Sequence, residues 1–124
     1  MILGVVYRPP DQSIQSCFYS LTRVLNVVNN ENKRIYMLGD FNVDLLSALS
    51  CQTVNDFLDL FMTFSMYPLI HHPTRITEHS VTLLDNIFTN DFPCISSGVI
   101  LADVSDHLPV FCICRNSKVK GKSL

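Results

Sequence analysis

The chain opens on an unbroken apolar run, Ile2 to Tyr7, stopped by Pro9 and Pro10, and this predicts a short buried strand entering a loop. From Ile14 the rhythm changes. Cys17, Phe18, Leu21, Leu25 and Val28 recur at steps of three and four, which places them on one face of an amphipathic helix. Asp11 or Ser13 serves as its N-cap, and Asn29 and Asn30 can end it. Arg34 to Leu38 predicts a second strand, and Gly39 opens the loop that follows. Thr53 then predicts the N-cap of a second helix, with Val54, Phe57, Leu58, Phe61 and Phe64 on one side, Asp56 near its positive end and Pro68 closing it. The remaining apolar runs predict strands at Tyr67 to His71, Val81 to Thr89, Val99 to Leu101 and Leu108 to Cys114, with Pro109 where a missing N–H is tolerated. The order β-α-β-α-β-β-β-β, without repeat or linker, predicts an α/β layered sandwich with its helices outside the sheets.

Composition narrows the picture. At 124 residues the chain is one domain at most, and with 48% hydrophobic but only 16% charged residues it has ample core material and little charge for a surface. A net charge of −2 excludes a generally basic polyanion binder; the one cationic cluster is Arg115, Lys118, Lys120 and Lys122 near the C-terminus, where the tail over 116–124 is expected to be disordered. Five cysteines without a Cys-x-x-Cys pair read as reduced thiols, with Cys112 and Cys114 on one face of a strand. The opening run lacks a basic flank and no run approaches the length of a membrane helix, so a soluble intracellular chain of nucleus or cytoplasm is expected, with no membrane partner.

Three stretches then bring chemistry to the ends of β-like runs: Gly39-Asp40-Phe41-Asn42, Leu84-Asp85-Asn86-Ile87-Phe88 and Ser105-Asp106-His107-Leu108-Pro109. In layered α/β proteins such ends are where loops gather reactive groups. Asp40 and Asn42, two apart, face one way in an extended loop; the carboxylate can take a proton or touch a hard metal, and the amide can donate to a phosphate oxygen. An Asx-rich turn gives the same pattern without chemistry. Asp106 and His107 can address two atoms of one phosphate, but a working histidine needs a group on its other nitrogen. Asp85, an acid among Leu83, Leu84, Ile87 and Phe88, needs a partner if buried, and a hydrogen bond to His107 supplies one. These five residues are expected to converge in one pocket. Tyr7 and Arg8 could each donate to a phosphate, although a strand-end aromatic and a surface cation are the plainer reading. His71, His72 and His79 lack metal-ligand spacing.

Together with Tyr7-Arg8-Pro9-Pro10 and Thr74-Arg75-Ile76-Thr77, these stretches resemble the endonuclease/exonuclease/phosphatase superfamily, and most of all the endonuclease domains of non-long-terminal-repeat (non-LTR) retrotransposons. They run in family order over nearly the whole chain. The resemblance implies part of a four-layer α/β sandwich, cleavage of phosphodiester bonds in DNA with Mg2+ or Mn2+, and a reverse transcriptase domain in the full-length element. Position by position it implies that Tyr7 contacts the scissile phosphate and that Asp40 activates water or serves the leaving oxygen. Asn42 would orient the phosphate, Asp106 and Asp40 serve the metal, and His107, held by Asp85, stabilise phosphoryl charge or move a proton. A phosphatase or lipid phosphodiesterase of the same superfamily, or a non-catalytic association module, would fit the same motifs.

Family members also carry, upstream of the Tyr7 segment, a strand with an asparagine and a strand with a metal-binding glutamate. This chain starts after both. The expectation is therefore that the N-terminal half is missing over a domain spanning 1–115, that the chain is a partial gene model or a decayed copy, that metal binding is weak and that the chain alone is inactive. An apolar sheet face or an edge by the first strand should lie uncovered, open to self-association.

Overall fold

A computed structural model describes residues 1–92 and 96–114. The expected tail, the cationic cluster from Arg115 to Lys122 and Cys94 lie outside the described residues. Among those described, the elements run β1 (Ile2–Tyr7), α1 (Ile14–Asn29), β2 (Ile35–Asp40), α2 (Gln52–Thr63), β3 (Tyr67–Pro68), β4 (Arg75–Ile76), β5 (Val81–Thr82), β6 (Asp85–Thr89), β7 (Ser96–Val99) and β8 (Val110–Ile113). The main sheet has the order β1-β2-β6-β3; β4 pairs with β5 and β7 with β8 in two small antiparallel ladders.

Alternation along β2 divides the core in two. Ile35 and Met37 face both helices, and with Leu21, Leu25, Phe41, Phe57, Phe61 and Phe88 they form one buried cluster. Tyr36 and Leu38 face the other way, into a smaller cluster with Ile70, Leu83 and Ile87, against which Val99, Val110 and Cys112 of the β7-β8 hairpin pack. The rings of Phe61 and Phe88 stack with centroids 3.8 Å apart, and Phe41 meets both Phe57 and Phe61 edge-on. Burial of each such ring stabilises the fold by roughly 1.5–3 kcal/mol. Phe41 thereby anchors the chain between Asp40, the last residue of β2, and Asn42 in the loop that follows, so β2 runs past the Leu38 end predicted for it.

Both helices lie on one side of the main sheet, and β1 is its edge. On the opposite face of β1, Leu3, Val5 and Tyr7 are 63%, 81% and 66% exposed, while Ile2 and Val6 pack toward the helices. The uncovered face expected from the sequence is thus a property of this strand. It carries no charge, proline or bulge of the kind that blunts an edge.

The structure corrects several boundaries. Ser13 caps α1 by accepting from the Ser16 N–H. The second helix begins at Gln52, not after a Thr53 cap: a 3-10 turn at Leu45–Ser47 leads into it, and the Cys51 N–H donates to the Ser47 carbonyl. It ends at Thr63, with Ser65 at φ 57, so Pro68 does not close it but sits in β3. The run expected from Val81 to Thr89 is two strands in two sheets, because Leu83 and Leu84 leave the ladder. The Leu83 N–H is taken by the Asp44 carboxylate and the Leu84 N–H by the Thr74 hydroxyl, each at 3.0 Å. The strand expected at Val99 to Leu101 lies earlier, at Ser96–Val99, and β4 was not anticipated.

Candidate functional site

β1 runs parallel to β2 and β2 antiparallel to β6, in a register that aligns Tyr7 with Asp40 and Asp40 with Asp85. Register partners project from the same face of a sheet. One row at the end of three strands therefore presents a phenol and two carboxylates on the side away from the helices. Gly39 makes this row possible: a Cβ there would lie 1.7 Å from the Val6 carbonyl oxygen.

His107 reaches the row from the last loop. Leu108 N–H donates to the Thr74 carbonyl at 2.6 Å, and Arg75 and His107 form an isolated antiparallel bridge. The Thr74 hydroxyl, fully buried, accepts from the N–H groups of both Leu84 and Asp85 and so pins the start of β6 to the same loop. With the backbone fixed this way, His107 Nδ1 lies 2.8 Å from Asp85 Oδ2, the hydrogen bond expected from the sequence. The Asp85 side chain is 17% exposed and that of His107 32%, so both are half-buried and reachable from solvent. Asp40, Asp85 and His107 each offer a ligand atom within 4.8 Å of the others'.

Burial raises the Asp40 carboxyl above its ordinary range. The charge of Asp85 pushes the same way, while the Asn42 N–H bond and the charges of His107 and Arg75 oppose it. A carboxyl raised on folding favours the folded state below its unfolded pKa, and that contribution is lost as pH rises through the folded value. At neutral pH the Asp40 charge therefore costs stability. Asp40→Asn is expected to raise the thermal midpoint by about 1–2 °C at pH 7 in EDTA, a small gain because the group is only partly desolvated. The gain should vanish near pH 3, where the native carboxyl is also neutral; a lower midpoint at pH 7 would contradict the burial argument.

Other expected members stand apart from this cluster. Asn42, at φ 50, gives its Nδ2 to the Arg8 carbonyl at 2.8 Å, and Arg8 Nη1 returns a bond to the Asn42 carbonyl at 2.8 Å. The amide expected to face a phosphate thus clamps two strand ends together. Arg8 is neither a surface cation nor a free phosphate donor, being 9% exposed with Nη2 on the Gln12 carbonyl. Asp106, expected beside the metal, pairs instead with Arg75, Nε to Oδ2 at 3.0 Å, and this bond holds its carboxyl below the usual range. It is not among the three residues whose ligand atoms cluster. His71, His72 and His79 are exposed and take no part. In the sequence Thr74 and Arg75 stand only as part of a motif; no periodicity in a two-residue strand assigns their contacts.

No family model and no curated protein matches the sequence. Among solved structures, an endonuclease/exonuclease/phosphatase family protein from Leptotrichia buccalis C-1013-b is similar, with a TM-score of 0.54 and 17% identity over 77% of this chain. The chain has the mixed α/β fold of that family over the matched region, and it spans 42% of the length of that structure. No helix among the described residues is long and apolar enough to cross a membrane.

Proposed function

We propose that the chain is part of a metal-dependent phosphodiesterase acting on DNA, of the non-LTR retrotransposon endonuclease branch. The observation that carries the chemistry is the cluster of Asp40, Asp85 and His107, with the Asp85–His107 bond at 2.8 Å. The ordered stretches Tyr7-Arg8-Pro9-Pro10, Thr74-Arg75 and Asp85-Asn86-Ile87-Phe88-Thr89 support the branch and, with it, DNA as substrate and a reverse transcriptase in the same element.

Phosphodiester hydrolysis requires activation of water, protonation of a leaving oxygen and relief of charge on the phosphoryl group. Asp40, with its raised proton affinity, is the group to receive a proton from water or return one to the leaving oxygen. Asp85 accepts a hydrogen bond from the Nδ1–H of His107, which directs Nε2 at the substrate and stabilises the imidazolium if it forms. Tyr7, next to Asp40 in the row, is an exposed donor for a phosphate oxygen.

Carboxylate oxygens of Asp40 and Asp85 fit a hard cation, Mg2+ or Mn2+, which when bound would neutralise charge on the phosphoryl oxygens. One oxygen of Asp85 is already engaged by His107, so this chain offers Mg2+ few of its near-octahedral ligands and should bind it weakly. The chain alone is expected to leave supercoiled plasmid intact in Mg2+. Joining or adding a polypeptide that supplies the remainder of such a fold, including a metal-binding glutamate, is expected to produce nicked circles.

A further inference from the structure

Asp85 and Asp106 are arranged alike. Each carboxylate holds one nitrogen of a basic side chain, Nδ1 of His107 at 2.8 Å and Nε of Arg75 at 3.0 Å, leaving the remaining nitrogens to point elsewhere. The two basic residues are themselves partners across an antiparallel bridge, which brings opposed Cβ atoms to roughly 4.5–5.5 Å and projects them to the same side. Backbone bonds from Ile76 N–H to the Asp106 carbonyl and from Leu108 N–H to the Thr74 carbonyl lock that arrangement on both flanks.

Arg75 also belongs electrostatically to the site. Its charge acts on both Asp40 and Asp106. Among the described residues Asp106 is the one side chain its guanidinium bonds, and the Arg75 side chain is 36% exposed. The other arginine near this end of the sheet, Arg8, is committed to backbone carbonyls, and Arg34 pairs with Asp91. A guanidinium held through Nε keeps its two Nη groups as a planar fork suited to two phosphate oxygens.

We propose that Arg75 is a second phosphate-binding group of the site, beside His107, and that Asp106 is its positioning residue and not a ligand of the metal. The assignment rests on the phosphodiesterase reading above. It gives the site two donors to one phosphoryl group, the single His107 Nε2 and the fork of the Arg75 Nη pair, each oriented by its own carboxylate.

The test is titration of inorganic phosphate into the metal-free 124-residue protein, followed by NMR at the Arg75 Nε–H and the His107 ring, with a separate Mn2+ titration of the same variants. Arg75→Gln is expected to weaken phosphate about tenfold and Arg75→Lys less, since lysine keeps the charge without the fork. Asp106→Asn should weaken phosphate about threefold, add nothing to Arg75→Gln in the double variant, and leave Mn2+ affinity within about twofold, as a residue acting through another does. A tenfold loss of Mn2+ affinity in Asp106→Asn, no saturable phosphate shift in the parent, or unchanged phosphate affinity in Arg75→Gln would each overturn the assignment. Failure of the phosphodiesterase reading shows separately, as Mn2+ affinity indifferent to Asp40→Asn, and the phosphate arm still reports on Arg75.

Discussion

Gly39→Ala is expected to remove about 3 kcal/mol of stability or more, the upper range for forcing atoms into a packed site. The added Cβ would sit 1.7 Å from the Val6 carbonyl oxygen and 2.7 Å from its carbon. Both atoms belong to backbone of β1, directly in register with Gly39, so no rotamer change relieves the overlap and the strands must part. Gly4→Ala is the control. Its Cβ would meet Met37 Sδ at 2.4 Å, the flexible part of a thioether side chain that can move aside, and its cost should be clearly smaller. Urea unfolding of both variants measures the difference; a Gly39→Ala midpoint close to that of the parent would show that the β1-β2 approach is looser than described. Because parting these strands also separates Tyr7 from Asp40, the variant should lose phosphate and metal response together with stability.

The glycine, acid and amide of this loop were visible in the sequence because they end an apolar run, and so were Asp85 and His107. A working histidine needs a group on its other nitrogen and an acid flanked by Leu84, Ile87 and Phe88 has to find a partner, and the two requirements together pointed across the chain to one pair. The strand β1 and the helix α1 were legible in extent from apolar runs, regular spacing and a cap at Asp11 or Ser13, but β1 is not the buried strand its apolar run predicts, since one of its faces is exposed. What was not legible depends on long-range polar contacts. The split of the Val81 to Thr89 run is imposed by Asp44 and Thr74, which capture backbone N–H groups from far along the chain. The pairing of Asp106 with Arg75 joins an exposed loop residue to a two-residue strand, where neither burial nor periodicity leaves a trace. The bond from the Asn42 amide to Arg8 left no trace either, because no pattern marks Arg8, a cation, for the interior.

The second large effect concerns the Asp85–His107 pair. In a polypeptide that nicks DNA, His107→Ala is expected to lower the rate by about 10²–10⁴-fold, the usual worth of a positioned acid or base. Asp85→Asn should lower it nearly as far, since the amide can present Nδ2 to the ring and favour the tautomer with its proton on the wrong nitrogen. Because the two act as one unit, the double variant should be little worse than His107→Ala alone. Multiplying losses would mean that Asp85 and His107 contribute independently, against the 2.8 Å bond that joins them.

The most direct measurement of the proposed chemistry is conversion of supercoiled plasmid to nicked circles, in Mg2+ and in Mn2+, by the 124-residue chain alone and by the same residues completed with the rest of such a fold. The account predicts no conversion by the chain alone in Mg2+, metal-dependent conversion by the completed polypeptide, and loss of that conversion in EDTA and in Asp40→Asn. Nicking that persists in EDTA, or that survives Asp40→Asn and His107→Ala unchanged, would contradict the assignment of the Asp40, Asp85 and His107 cluster as the reacting site.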